Sequence, residues 1–377
     1  MVRVSRKFFN VALTIALTVT LFASPMAALA AHPADGNPEI ENLKQRIEAL
    51  EAEKKTAKPL SISSLAEKIT LSGLIELEAA YNKPEGGEES SDLTLATVEL
   101  GLEVQATDYL GGHIVLLWEE GEDMEAYDIL DEAVIILTKP QPVWGVTPSF
   151  TGGKMYLPFG KFNSYMITDP LTLDLGETNQ SAGMLTLEGE LWTLQAGAFS
   201  GETDTRGDHD TIDSWVAALE ARPFETLSFG ISLISDLAES DLELVADDEE
   251  GEDLYSSSVM GASAWLSWQF GQFGFEAEYL TALDKFDREL LGPTDLTGRR
   301  PSAWNLELAW MPNDRWQVAG RFEQADDFQD DVTRYGGTVS YGLFEHAVLA
   351  LEYLHGDAKG PDADPDHTVT AQLAFEF

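Results

Sequence analysis

Carboxylates placed at every second or fourth position, opposite apolar rows, are the chemistry-bearing feature of this chain. Glu76 and Glu78 alternate with Ile75, Leu77 and Ala79, and Glu99 and Glu103 alternate with Val98, Leu100, Leu102 and Val104. Glu220, Glu276, Glu278, Glu307, Glu323 and Glu352 sit in similar surroundings, with Arg222 and Arg321 as the few basic residues in the same rows. Side chains of one extended strand alternate between its two faces, so such a segment has one oily and one acidic face. In a closed cylinder the acidic face lines a wet interior, and rings of carboxylates there favour cations or neutral solutes over anions. Lys154, Lys161, Asp169, Asp174 and Glu177, in and beside the long segment 158–180, are the candidates for a constriction. A second reading is that each of these charges only hydrates the interior.

Other chemistry finds no support. The six histidines (His32, His113, His209, His346, His355, His367) are scattered, without HExxH or another ligand spacing. No Gly-x-Ser-x-Gly elbow occurs, and no serine has an obvious catalytic partner. The expectation is therefore no catalytic residue, no resident metal and no cofactor.

The elements that must position the carboxylates follow from period-2 patterning. Strands are expected near 67–81, 92–106, 112–120, 131–139, 147–157, 181–189, 191–200, 211–222, 226–236, 256–270, 272–283, 301–312, 315–325, 333–342, 345–355 and 367–377. Short turns such as Asp108-Tyr109-Leu110-Gly111 and Pro312-Asn313-Asp314 are expected to alternate strictly with long loops, including 158–180, 237–255 and 284–300. An even strand number, with short turns at one end and long loops at the other, is the pattern of a transmembrane antiparallel β-barrel. A soluble sandwich has the same periodicity but no reason to collect its long loops at one end. Tyr81, Tyr109, Trp118, Trp144, Trp192, Trp215, Trp265, Trp268, Trp304, Trp310, Trp316, Tyr335 and Tyr353 lie mostly towards strand ends, as interface girdles require. Phe377 closes the last alternating strand and resembles the signal read by the bacterial barrel-assembly machinery.

Ahead of the strands the chain reads as export machinery and spacer. Residues 1–30 form a signal peptide: Arg3, Arg6 and Lys7, then the apolar run Val11 to Phe22, then the cleavage site Ala28-Leu29-Ala30. The alternative, an uncleaved anchor, needs about 20 apolar residues, more than this run supplies. Residues 31–37 are a flexible start. Within 38–58, Ile40, Leu43, Ile47 and Leu50 recur at a/d spacing, the mark of a short periplasmic coiled coil that would hold a homo-oligomer together. A solvated amphipathic helix that pairs with nothing is the other reading of that segment. Residues 59–66 form a linker, and 67–377 the barrel.

Composition narrows the partners. The chain carries 66 acidic and 23 basic residues, a net charge of −43, which excludes nucleic acid as a natural partner. It has no cysteine, and therefore no disulfide or thiolate-metal chemistry. Acidic runs at Glu85 to Glu89, Asp247 to Glu252 and around Asp326 to Asp331 would meet lipopolysaccharide through divalent cations, or simply stay solvated. None has the spacing of a dedicated calcium loop.

A family resemblance adds to this. The leader, the Ile/Leu heptads, Ile69-Thr70-Leu71-Ser72-Gly73-Leu74-Ile75-Glu76 and above all GKMYLPFGKFNSYMITDPLTLDLGET (Gly153 to Thr178) resemble LbtU-type siderophore porins. That resemblance implies a sixteen-stranded outer-membrane barrel with a periplasmic coiled-coil extension, passing an iron–siderophore without a plug domain. Phosphate-selective porins share the layout but depend on a basic ladder, which this chain lacks. A general cation-preferring porin and a structural envelope tether anchored by a barrel are the competing expectations.

Overall fold

The computed structural model describes residues 68–120, 129–201, 203, 211–240, 258–286, 298–328, 331–358 and 365–377. The expected leader, flexible start, heptad helix and linker lie outside the described residues, as does the acidic run Asp247 to Glu252.

Sixteen antiparallel strands close into one barrel, each paired with its sequence neighbours and the first with the last. They are β1 (Ile69–Pro84), β2 (Ser90–Thr107), β3 (Leu110–Glu119), β4 (Leu130–Thr138), β5 (Thr147–Tyr156), β6 (Asn179–Glu188), β7 (Trp192–Phe199) and β8 (Ser214–Phe224). The second half comprises β9 (Leu227–Ile234), β10 (Gly261–Phe270), β11 (Phe273–Ala282), β12 (Ser302–Asn313), β13 (Trp316–Asp326), β14 (Val332–Phe344), β15 (Ala347–Ala358) and β16 (Asp366–Glu376). One short helix, α1 (Leu171–Gly176), interrupts the β5–β6 connection, and a 3-10 turn spans Leu237–Glu239.

Strand β12 shows which face is which. Leu306, Leu308 and Trp310 are 41%, 51% and 45% exposed, whereas Asn305 and Glu307, in the alternate positions, are 2% and 1% exposed. A water-soluble sheet would bury the leucines and expose the glutamate, because burying a carboxylate is costly and an unbroken apolar surface attracts partners. The same inversion holds on β13, where Phe322 is exposed and Arg321 and Glu323 are buried. The molecule is oily outside and polar inside.

The loop alternation is looser than the sequence suggests. Turns 108–109, 225–226, 271–272, 314–315 and 345–346 are tight, but 139–146 at the same end is longer. At the opposite end, connections 85–89 and 327–331 are short. Trp265 is a second difference: it stands three residues from the exposed Trp268, an odd spacing that puts it on the opposite face, and it points inward, 8% exposed, over the missing side chain of Gly230.

The interior is only partly wet. Phe159, Leu171 and Leu175 of the β5–β6 connection pack with Phe199, Val216, Ile234, Leu237, Leu280 and Ala303 in an apolar cluster inside the cylinder. The interior face outside this cluster belongs chiefly to β16 and β1 to β3, with Glu132 at the start of β4 and Glu220 and Arg222 at the end of β8.

Candidate functional site: an internal loop held by wall carboxylates

The connection 157–178 folds inward and lies along the wall of β9 to β15, gripped by inward-facing side chains. Gly160 and Phe162 both have positive φ, 88° and 57°, so consecutive amides turn to one side. Such a turn makes an anion-binding nest. Glu278 fills it, accepting from Lys161 N at 2.7 Å and from Phe162 N at 2.8 Å. Further along, Glu307 accepts from Tyr165 N at 2.6 Å, and Glu352 accepts from Ile167 N at 2.6 Å and Thr168 Oγ1 at 2.6 Å. Glu276 accepts from Asn163 Nδ2 and the Tyr165 hydroxyl, each at 3.3 Å. Helix α1 follows Pro170 and has no side-chain cap of its own. Its first amide, Leu171 N, donates instead to Glu323 Oε2 at 2.8 Å. Three adjacent strands, β11 to β13, together with β15 thus act as a rack of acceptors for the peptide groups of one loop.

Arg321 is the cation inside this rack. Its side chain is fully buried and reaches Glu307 at 2.8 Å, the Ser164 hydroxyl at 2.6 Å and the Asp169 carbonyl at 3.1 Å. Arg334 bridges the wall to the loop, 3.8 Å from Asp174 and 3.9 Å from Glu323. Lys161 extends over the Trp265 ring, 5.1 Å from its centroid, with Glu220 at 3.5 Å. Glu220 also lies 3.3 Å from Arg222.

The other wall is different. Glu76, Glu78 and Glu99 are half-buried and Glu103 is exposed, all on inward positions of β1 and β2. Glu78 accepts from Gln372 at 2.8 Å. Glu132 faces the same space, with His113 at 3.2 Å.

The sequence-derived candidates therefore divide into three groups. Glu276, Glu278, Glu307, Arg321, Glu323 and Glu352 meet beneath the loop and are buried against it, so water in the interior does not reach them freely. Glu76, Glu78, Glu99, Glu103, Glu220 and Arg222 face the open part, and Asp169 and Asp174 ride on the loop. Lys154 stands apart. It occupies an outward position, paired in register with Ala133 and Ser181, and its ammonium donates to the Leu130 carbonyl at 2.9 Å. The expectation that it points inward missed a parity change: Met155, its neighbour, takes the inward position instead. Glu177 closes α1, its amide donating to the Leu173 carbonyl at 2.9 Å.

Sequence reasoning missed Ser232, Asn305 and Gln317 as part of the wall. Ser232 accepts from Gly160 N at 2.9 Å, and Gln317 donates to the Tyr165 carbonyl at 3.1 Å. They are inward polar positions without charge, and their signal was the alternation already used for the glutamates.

Solved structures share this architecture. The outer-membrane channel DcaP of Acinetobacter baumannii superposes with a TM-score of 0.59 at 14% identity, covering 82% of this chain and 97% of that one. An anion-selective porin from Comamonas acidovorans superposes with a TM-score of 0.60 at 15% identity, covering 82% and 99%. The fold is that of an outer-membrane porin. In sequence, a UPF0422 protein of Coxiella burnetii is 25% identical over 308 residues, covering 76% of this chain and 64% of the relative. A UPF0422 protein of Legionella pneumophila (strain Lens) is 25% identical over 146 residues, 38% of this chain and 27% of the relative. The chain thus spans less than two thirds of the length of these curated relatives. No protein-family profile matches it.

Proposed function

We propose that the chain is a passive outer-membrane porin whose interior admits small solutes and prefers cations to anions. The observation that carries this is the division of labour among the glutamates. Those under the loop are used up as anchors, while Glu76, Glu78, Glu99 and Glu103 stay on the water-facing wall across from it. Fixed carboxylates along a water path raise the local concentration of cations and exclude anions. The Comamonas protein with the same fold is anion-selective. Selectivity in this reading follows the charge of the wall rather than the architecture.

The outward apolar belt supports a bilayer setting; in this reading lipid and lipopolysaccharide surround the barrel and the barrel-assembly machinery is its insertion route. A homo-oligomer fits the same surface.

An iron–siderophore as the preferred solute is the finer reading, and one observation favours it. The run Gly153 to Thr178, which carries most of the resemblance to siderophore porins, supplies the internal loop itself. Liposome swelling with an iron–siderophore against sugars of equal size separates this from general passage.

Reversal potentials in planar bilayers under a salt gradient test the main proposal. The expected sign is cation-selective, moving towards neutrality in Glu99→Gln/Glu103→Gln. Anion selectivity, or no conductance at all, overturns it.

A further inference from the structure

A groove of about 680 Å³ opens at one end of the barrel, between turns 189–191 and 225–226. Both turns lie at the end where the chain enters β1 and where Phe377 follows β16. Glu188, Glu190, Leu191, Arg222, Phe224 and Glu225 form much of its lining. Phe224 is 68% exposed and Leu191 52%, and they share the groove with charged groups, so water rather than lipid meets them. Arg222 divides itself between Glu188 at 3.8 Å and Glu220 at 3.3 Å. Glu190 and Glu225 have no ion-pair or hydrogen-bond partner among the described residues. Apolar surface beside unanswered carboxylates fits a segment that brings alkyl stems and cationic heads together, as lysine does.

This chain carries such a segment just ahead of the barrel. Residues 54–66, Lys-Lys-Thr-Ala-Lys-Pro-Leu-Ser-Ile-Ser-Ser-Leu-Ala, hold three lysines and no acid, in a chain of net charge −43. The described barrel begins at Lys68, at the same end as the groove. Sixteen strands about 4.8 Å apart and tilted about 40° give a ring roughly 32 Å across. Strand β7 stands six steps from β1 in that ring, a chord of about 30 Å. The ten residues from Lys58 to Lys68 span at most about 33–36 Å, and the fourteen from Lys54 about 46–50 Å. Lys54 and Lys55 therefore reach the groove with slack, and Lys58 when nearly extended.

We propose that the lysine run 54–58 of this chain docks in the groove and lies across the mouth of the barrel at that end. Its ammonium groups meet Glu190 and Glu225, while its alkyl stems and Pro59-Leu60 cover Leu191 and Phe224. The covalent tether favours this segment over a free partner, because it holds the lysines at an effective concentration on the order of millimolar. The charged contacts are exposed, so docking is reversible and weakens as ionic strength rises. A segment across the mouth narrows the path for solutes. That consequence rests on the porin reading; the docking itself does not.

The chain has no cysteine, so introduced pairs report the contact directly. Thr56→Cys/Leu191→Cys links the lysine run to the groove and leaves every charge in place. Thr56→Cys/Asn313→Cys is the control, because the turn after β12 stands nearer β1 in the ring and a freely moving tether would meet it at least as often. Oxidation of the full chain in detergent micelles is expected to give about fivefold more intrachain disulfide with position 191, read as a mobility shift. Adding Glu190→Gln/Glu225→Gln, or about 0.5 M salt, is expected to bring that ratio to about one. Equal yields from the two pairs, a ratio that survives both treatments, or disulfides formed only between two chains overturn the docking. In planar bilayers at low salt, Lys54→Gln/Lys55→Gln/Lys58→Gln, which leaves the barrel untouched, is expected to raise conductance about twofold. Unchanged conductance overturns the narrowing. No conductance in either protein overturns the porin reading, and the disulfide yields still decide the docking.

Discussion

Phe377 and Gly73 close the barrel on each other. Phe377 N donates to the Gly73 carbonyl at 3.0 Å, and Gly73 N donates to a Phe377 oxygen at 2.9 Å. The phenyl ring lies where glycine has no side chain, so any Cβ at position 73 would overlap it. An aromatic ring covering a strand glycine protects a backbone that is otherwise open on that side. Phe377 is thus part of the seam.

Phe377→Ala is expected to lower barrel stability by about 1–2 kcal/mol, less than a core deletion because the ring is half exposed. Gly73→Leu should do the same by displacing the ring. Heat-modifiability on electrophoresis after refolding in detergent measures both. An unchanged transition in Gly73→Leu would show that the ring contributes nothing to the seam.

Glu278→Gln is expected to loosen the nest at residues 161 and 162. A charge-assisted bond to a backbone amide contributes about 1.5–3 kcal/mol, and the amide side chain can accept only through one oxygen. Single-channel records should show larger and noisier conductance than the wild type. Conductance indistinguishable from the wild type would mean that the neighbouring anchors hold the loop without it.

Arg321→Met should be more severe. It leaves Glu307 buried without its cation and frees the Ser164 and Asp169 contacts. Breaking a buried pair on one side costs about 3–5 kcal/mol. The double change Arg321→Met/Glu307→Leu is expected to recover part of that loss, and chemical unfolding midpoints of the two proteins compare them. No recovery would place the role of Arg321 in its loop contacts instead.

Asp174, on the loop, gives a pH dependence with a definite sign. Burial pushes its carboxyl above the ordinary range, opposed by Arg334 and reinforced by Asp169. A carboxyl raised in the folded state holds its proton more tightly there than in the unfolded chain. This group therefore weakens the fold as pH rises from the usual carboxylate range to its own value, and the penalty persists above that. Acidification through the window relieves it. Asp174→Asn is expected to flatten this part of the stability profile, read as the unfolding midpoint in detergent against pH. A variant that keeps the wild-type slope would assign the dependence to other groups.

The barrel was legible because period-2 alternation acts locally, and each strand writes its own facing pattern. All sixteen strands appear within a few residues of where β-patterning puts them, and β12 displays the outward leucines and inward glutamate that the sequence implies. The loop's docking was not legible. Glu99 and Glu278 occupy the same kind of alternating position, yet one faces water and the other disappears beneath Lys161 and Phe162. That difference depends on contacts between residues more than a hundred positions apart, which no local pattern encodes. Lys154 was misplaced for a smaller reason: one step of parity exchanges the two faces of a strand. The inner apolar cluster was hidden by its members, since Phe159, Leu171 and Leu175 belong to a segment without strand alternation.

The rack under the loop grips main-chain amides, and an amide is the same whatever residue carries it. Side chains that the rack does not use, such as Met166 and Ile167, can therefore change without dislodging the segment, whereas Asn163, Ser164, Tyr165 and Thr168 add side-chain bonds to the wall. The glutamates of the wall have no such freedom. In the porin proposed above, a barrel attached this way would separate what keeps the loop in place from what meets the solute, so that solute preference could change through the second alone.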